Sequence, residues 1–334
     1  MDYININGNF QKPKYQQIVY SVLEAIENGE LKLGSKLPSL NKICKEFQLS
    51  QDTVLYAYNE LKARGIISST VGKGYYIIST AVHESHKIFL LFDTLTLYKE
   101  SLYNTILDKF KGKGRVEIFF HHNNSQVFKS IVKNAAGNYS AYVIIPILQS
   151  EPINVLQELP EKSVYILDLG LKLLSNKYAC VCQNFEKDVY NSLEILSNKL
   201  KKYESFYLVC PGNKFQYKEI QYGFEKFAKD NKLNSKVLNN LDKQTVGPKE
   251  AYLVINDIDL VKIIKASNTR GLTIGKDIGI ISYNKSPLKE VMANGITTIS
   301  TDFEEMGKTI SNMILKKKRD KVINRIEIIK GGSL

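Results

Sequence analysis

Apolar residues follow two different rhythms along this chain, and the change comes near residue 80. Before it the period is helical. Lys14–Asn28 sets Ile18, Val22, Leu23 and Ile26 on one face and stops at Gly29, a residue suited to closing a helix. Ser39 can cap a short helix running to about Phe47. Ser50 can cap a second, Gln51–Arg64, which Gly65 closes and in which Val54, Ala57, Tyr58 and Leu61 form the inward stripe. Ile66–Ser69 and Tyr75–Ile78 then read as two short strands about the turn Val71-Gly72-Lys73-Gly74.

Beyond a polar connector, Ser79–Lys87, strand-length apolar runs alternate with amphipathic segments. The predicted strands are Ile88–Phe92, Val116–Phe120, Tyr142–Ile145, Val164–Leu167, Ala179–Cys182, Phe206–Val209, Tyr252–Ile255 and Ile278–Ser282. Helical segments between them include Leu102–Phe110, Val127–Ala136, Phe185–Leu200 and Tyr222–Asp230. Strands apolar on both faces are covered on both, as in parallel α/β sheets. This region, ~250 residues, suits one barrel or two doubly wound lobes. Three helices and a hairpin in the first part form a winged helix-turn-helix pattern. Lys316–Lys321 reads as a solvated helix end.

Composition narrows the picture. With 334 residues, 43% hydrophobic and 24% charged, the chain is an ordinary globular one, long enough for two domains. Its apolar runs are far shorter than the ~20 residues that span a bilayer. Residues 1–15 carry no apolar stretch of signal-peptide type, so a soluble cytoplasmic protein without a membrane partner is expected. Lys+Arg 46 against Asp+Glu 34 gives +12, which favours a polyanionic partner. Little of that surplus sits before residue 80, and a generally basic surface would explain it as well.

Cys44, Cys180, Cys182 and Cys210 are too few for a disulfide framework. Cys180 and Cys182 would point the same way from a strand, with no second C-x-C to complete a zinc set. Reduced, buried thiols are expected. The histidines come as His83/His86 and His121/His122; a metal site is conceivable, but solvated loop histidines are the expected reading, with no metal and no cofactor.

In a helix-turn-helix the second helix lies in the major groove, and here its first residues are Ser50, Gln51, Asp52 and Thr53. Gln can pair bidentately with adenine, and Ser or Thr can bond a phosphate or base. Lys73, between Gly72 and Gly74, suits a phosphate or minor-groove contact. The plainer alternative is that Ser50 only caps and the glycines only turn.

The residues go further. Pro13-x-Tyr15-x-x-Ile18, Ile26-x-x-Gly29-x-Leu31-x-x-Gly34-Ser35-Lys36-Leu37-Pro38-Ser39, Leu49-Ser50-x-x-Thr53-Val54, Leu61-x-x-x-Gly65-Ile66-Ile67 and Gly72-x-Gly74-x-Tyr76-Ile77 follow in order. This series resembles the DNA-binding domain of the GntR family of bacterial regulators. The resemblance implies dimeric binding to a palindromic operator, with DNA-contact positions at Lys36, Ser39, Asn41, Ser50, Gln51, Thr53, Gly72 and Lys73. Asn41 and Gln51 stand where the family often has Arg, and Leu55 where it often has a basic residue, so the operator sequence is expected to differ.

GntR-type proteins differ in their second module. Four histidines, all before residue 123, argue against an all-helical metal-dependent one, and no Schiff-base lysine motif for an aminotransferase-like one is visible. A small lyase-like ligand module is too short. Ile255-Asn256-Asp257, Gly271-Leu272-x-Ile274-Gly275-x-Asp277-Ile278-Gly279-Ile280-Ile281-Ser282-Tyr283-Asn284 and Ile296-Thr297-Thr298-Ile299-Ser300-Thr301-Asp302-Phe303-x-x-Met306-Gly307 are similar to the LacI/periplasmic-binding-protein family, as is Gly223-Phe224. A GntR head on a LacI-like sensor is an arabinose-repressor type of architecture.

That resemblance implies an α/β two-lobed periplasmic-binding-protein-like sensor with an N-terminal winged helix-turn-helix domain. Expected boundaries are 1–79 for the head, 80–87 for a linker and 88–334 for the ligand-sensing domain. It implies a small molecule between the lobes, expected to be a monosaccharide, bound by loops beyond strand ends. Candidates by strand position are Phe92, Asp93, Asp168, Asn184, Asp257 and Asn284, with Tyr98, Tyr217 and Tyr283 as ring platforms. Asp257 is the best match, and Asp93 and Asn184 could equally be turn or cap residues. Ile220 replaces a frequent Arg, with Lys218 the nearest cation. Asn184 sits where Asp is common, and Asn284-Lys285 replaces an acidic pair.

The expected function is therefore a homodimeric, sequence-specific transcription regulator whose operator affinity a small effector modulates. The alternative is a sugar- or nucleotide-modifying α/β enzyme with an accessory DNA-binding head. Against it, the chain lacks a G-x-x-x-x-G-K-[ST] loop, a G-x-S-x-G elbow and a strand-linked G-x-G-x-x-G, and no catalytic residue is proposed.

Overall fold

A computed structural model describes residues 3–6, 13–80, 86–148, 153–210, 212, 215–241 and 246–334. Residues 81–85, the middle of the expected linker and with it His83, lie outside that set.

The head is built as the helical period requires. Helices α1 (Lys14–Glu27), α2 (Leu40–Phe47) and α3 (Gln51–Ala63) enclose Ile18, Val22, Ile43, Val54, Ala57, Tyr58 and Leu61, none of which reaches solvent. Strands β1 (Ile67–Thr70) and β2 (Gly74–Ile77) form an antiparallel hairpin whose turn places Gly72 at φ +72°, a conformation that favours glycine. Residues 34–37 add a third edge, with Leu37 N–H on the Tyr75 carbonyl at 2.9 Å and Ile77 N–H on Ser35 at 2.9 Å.

The remainder forms two open sheets of six strands, which excludes the barrel. In lobe 1, β3 (His86–Phe92), β4 (Gly114–Phe120), β5 (Ala141–Ile144), β6 (Val164–Asp168), β7 (Ala179–Cys182) and β13 (Lys321–Ile323) run parallel in the order β13-β7-β6-β5-β3-β4. Helices α4 (Leu97–Phe110), α5 (Ser125–Ala135) and the short α6 (Leu171–Leu174) belong to this lobe.

Lobe 2 orders β8 (Ser205–Val209), β9 (Asn234–Leu238), β10 (Glu250–Val254), β11 (Ile278–Tyr283), β12 (Thr297–Thr301) and β14 (Ile326–Ile329) as β14-β12-β11-β10-β8-β9. Only β14 is antiparallel. Its helices are α7 (Phe185–Leu200), α8 (Phe215–Asp230), α9 (Asp257–Thr269) and α10 (Pro287–Val291). Helix α11 (Phe303–Leu315) returns to lobe 1 and packs along α4. At Gly223 the helices α7 and α8 approach so closely that a Cβ would lie 2.3 Å from the Glu186 carbonyl oxygen. The lysine run is a turn after α11, and Lys321 already opens β13.

The chain thus crosses between lobes three times: after β7, after β12, and between β13 and β14. Side chains tie the crossings together. Thr301 Oγ1 donates to Gln183 Oε1 at 2.5 Å, Asn324 N–H donates to the Cys182 carbonyl at 2.8 Å, and Asn324 Nδ2 donates to the Asp302 carbonyl at 2.9 Å. These three short polar strips are the natural hinge.

A candidate DNA-reading surface and an interlobe cleft

The first surface joins two helix N-termini and the hairpin tip. Ser39 Oγ accepts the Lys42 N–H at 3.3 Å, and Ser50 Oγ accepts the Thr53 N–H at 3.3 Å while lying 2.8 Å from Thr53 Oγ1. Both serines are caps, and in that role they fix the start of α2 and α3, where the exposed N–H groups favour a phosphate. Asn41 and Gln51 are exposed beside them, and Lys73 is exposed next to Gly72. Lys36 joins the hairpin: its ammonium lies 5.8 Å over the Tyr76 ring, and its Cε packs against Gly74. The groups expected to meet DNA therefore face solvent without a carboxylate partner among the described ion pairs.

The second site is a cleft of about 330 Å³ between the lobes, at the carboxyl ends of β3, β6, β10 and β11. That size is at the small end of ordinary ligand sites. Of the candidates, Asp93, Asp168, Tyr217, Asp257 and Asn284 line it, as do Tyr98 and Tyr283. Two do not. Phe92 ends β3 on the inward face and is wholly buried in the apolar core. Asn184 is a helix cap, its Oδ1 accepting the Lys187 N–H at 3.4 Å and its own N–H bonded to Asp188 at 2.9 Å.

The floor of the cleft is ionic. Lys99, from the first turn of α4, donates to Asp93 and stands 3.8 Å from Asp168 Oδ2, all three side chains being buried. Burial alone would raise the Asp93 carboxyl, but the adjacent ammonium outweighs it and holds the acid below its usual range. Asp168 goes the other way: complete burial lifts it despite Lys99 and a bond from Gln183 Nε2. Burial would lower Lys99, and its two carboxylates keep it above the ordinary lysine range. Gln183 also accepts from Tyr283 Oη at 3.4 Å, so the floor and the hinge share one amide.

The lobe 2 wall is built around Lys289. Its buried ammonium donates to the carbonyls of Tyr283 and Asn284 at 2.9 and 2.7 Å and pairs with Asp257 at 2.8 Å, Asp257 itself being largely exposed at the rim. Asn284 sits at φ +59°, and its buried Oδ1 has no partner among the described residues. Tyr98 and Phe303 stack at 5.0 Å to give a flat aromatic face.

Lys99, Gln183 and Lys289 escape sequence reasoning, although Gln183 directly follows a predicted strand and so had a positional signal. The histidine expectation needs correction too. His121 is fully buried; its Nδ1 accepts the Asn123 N–H at 3.1 Å, leaving Nε2 to donate to the Ile145 carbonyl at 3.1 Å. Cys180 and Cys182 share the buried face expected of them. Among the described residues no three His, Cys, Asp or Glu side chains converge as metal ligands, and no helix is long and apolar enough to cross a membrane.

A reading head with two capped helix starts, coupled to a hinged two-lobed cleft, defines a DNA-binding transcription regulator with a periplasmic-binding-protein-like sensor. Residues 14–77 match the bacterial regulatory proteins of the gntR family and residues 204–332 the periplasmic binding protein-like domain. The chain belongs to the GntR family.

An uncharacterized HTH-type regulator, YdfD of Bacillus subtilis (strain 168), is 48% identical over 67 residues, which is 20% of this chain but only 14% of that protein. The HTH-type repressor YtrA of the same organism is 34% identical over 105 residues, 31% of this chain and 77% of YtrA. The arabinose metabolism transcriptional repressor of Geobacillus stearothermophilus is 22% identical across 94% of this chain and 93% of its own. A lac repressor dimer bound to operator and anti-inducer superposes with a TM-score of 0.62 at 18% identity over 75% of this chain and 94% of its own. A LacI-type regulator of Alkaliphilus metalliredigens QYMF, complexed with D-xylulofuranose, gives 0.61 at 15%, over 75% and 99%. These two likenesses concern the fold.

Proposed function

We propose that this protein binds operator DNA as a homodimer in the bacterial cytoplasm and that an uncharged monosaccharide, held in the interlobe cleft, changes its operator affinity. In this reading Gln51 and Asn41 meet base edges, and Lys36, Lys73, Ser39, Ser50, Thr53 and the Gly72 backbone meet phosphates. The cleft supplies hydroxyl partners at Asp93, Asp168, Asp257 and Asn284, with Tyr98 and Tyr217 against the sugar ring. No step of bond making is assigned to it.

The observation that carries the reading is that Asn284, which lines the cleft, has a buried Oδ1 without a partner among the described residues, while Lys99 and Lys289 there are already paired. A buried acceptor without a donor is costly unless something supplies one, and a neutral hydroxyl does so without adding charge. Similarity to a repressor of arabinose metabolism supports a sugar. Because Gln183 belongs both to the floor and to the first crossing, a ligand that draws the lobes together acts on the hinge.

The test is a thermal-shift screen of the full chain against L-arabinose, D-xylose, L-fucose and L-rhamnose, followed by operator gel shifts. Ligand at a thousand times Kd should stabilise by ~4 kcal/mol. Operator binding should then move by the same coupling factor in both directions. A flat melting response to every sugar, with unaltered operator binding, would remove the sensing half of the reading.

A further inference from the structure

A second cavity, of about 380 Å³, lies where the head meets lobe 1. Its head wall is the far half of α3, from Tyr56 to Ala63, with Arg64 just beyond it and Tyr15; its sensor wall comes from Tyr139 to Ala141, from Tyr165 and from the turn at Lys317–Arg319. Among its lining side chains are four permanent cations, Arg64, Lys162, Lys317 and Arg319, and one carboxylate, Glu60. Arg64 already pairs with Glu60 at 2.5 Å.

Arg319 is the built element. Its guanidinium lies 5.0 Å over the Tyr165 ring, held by the carbonyls of Glu161, Lys162 and Val164 at 3.0, 3.1 and 2.7 Å. All of these partners are neutral. Lys162 and Lys317 are exposed near it and enter no described ion pair. Opposite, Tyr15 and Tyr56 meet edge to face at 4.5 Å. The cleft is different: there Lys99, Lys285 and Lys289 are matched by Asp93, Glu327 and Asp257.

We propose that this junction is a second effector site, for a phosphorylated small molecule such as a sugar phosphate or nucleotide. An oriented guanidinium with two nearby ammonium groups suits a phosphate, and the tyrosine walls suit the organic body that a free phosphate lacks. Such a ligand touches both the reading helix and lobe 1. It binds the docked head more tightly than an undocked one, and so favours that arrangement. The site is independent of what occupies the interlobe cleft.

The experiment titrates the full-length protein, at constant ionic strength, with glucose 6-phosphate, fructose 1,6-bisphosphate and AMP, against glucose, fructose, adenosine and inorganic phosphate, reading melting temperature and calorimetric affinity. At least one ester should stabilise where its neutral counterpart and inorganic phosphate do not. Lys162→Glu/Lys317→Glu, two exposed changes expected to leave the unliganded melting temperature in place, should weaken that ester about tenfold or more. Asn284→Ala in the cleft and Lys73→Ala on the reading surface should leave it unchanged. Loss of the response in Asn284→Ala would place the anion in the cleft, and loss in Lys73→Ala would place it on the DNA face; either overturns the proposal. So does a silent panel, a response to inorganic phosphate alone, or full affinity in the double variant. If the double variant melts low, Lys162→Met/Lys317→Met serves in the same comparison.

Discussion

Replacing Lys99 by methionine removes one ammonium and leaves its two carboxylates facing each other. Methionine keeps the length and apolar stem of lysine, so packing of the α4 first turn should survive. Asp93 and Asp168, both buried, then share a pocket with Gln183, the Thr94 N–H, His121 and Tyr98 as polar neighbours and no adjacent ammonium. Breaking a buried ion pair from one side typically costs ~3–5 kcal/mol, which is ~6–20 °C of melting temperature for a sensor of this size.

The pH dependence has a definite sign. Without Lys99, both acids should titrate above the unfolded value near 3.8. A raised acid contributes most below its unfolded pKa and loses that contribution as pH climbs through the folded one. The variant should therefore recover toward wild type as pH falls from 8 to 5. In wild type, Asp93 is held low, and its contribution persists until acid drops below the usual carboxylate range. Melts of both proteins by circular dichroism across pH 5–8 read the effect. A variant within about 2 °C of wild type at pH 7.5, with no narrowing at pH 5, would refute the ionic account of the cleft floor.

Three further outcomes are expected. Gly223→Ala forces a methyl into the Glu186 carbonyl and should cost ~1–3 kcal/mol or more in a denaturant melt, with Gly223→Ser no better. Asp188, pushed up to about 6 by burial, weakens the fold as pH rises from its unfolded value near 3.8 through the folded one, by at most ~3 kcal/mol; Asp188→Asn should melt above wild type at pH 8, and that margin should shrink at pH 5 and close only below about pH 4. Lys73→Ala should weaken operator and non-operator DNA alike and flatten the salt dependence of log K by about one, in gel shifts from 50 to 200 mM salt.

The head was readable almost residue by residue because its helices announce their own ends: Ser39 and Ser50 cap where the pattern begins, and Gly29 and Gly65 follow where it stops. The eight apolar runs became strands for a similar reason, most of them buried on both faces, with the edge strand β4 only half-buried. Strands with other chemistry stayed hidden. β12 is mostly Thr and Ser yet wholly buried, and β9 lies at a sheet edge with an exposed start. In the cleft, strand ends gave away Asp93, Asp168, Asp257 and Asn284. Position alone could not separate Phe92, whose side chain alternates inward, or Asn184, consumed by capping. Lys99 and Lys289 were out of reach because each sits inside a helix, where a lysine ordinarily means a solvated face, and only tertiary packing turns it inward.

The three crossings also set an order of assembly. Lobe 1 has five of its six strands once the ribosome passes Cys182, but its covering helix α11 starts at Phe303 and its edge strand β13 at Lys321. At ~5–20 residues per second, the nascent lobe waits several seconds to half a minute with the flank of α4 uncovered. The head has its own closed core and can fold at once. Truncation after β7 should therefore yield a folded head joined to an aggregation-prone sheet, and the hinge that serves a finished regulator leaves the growing chain in need of a chaperone.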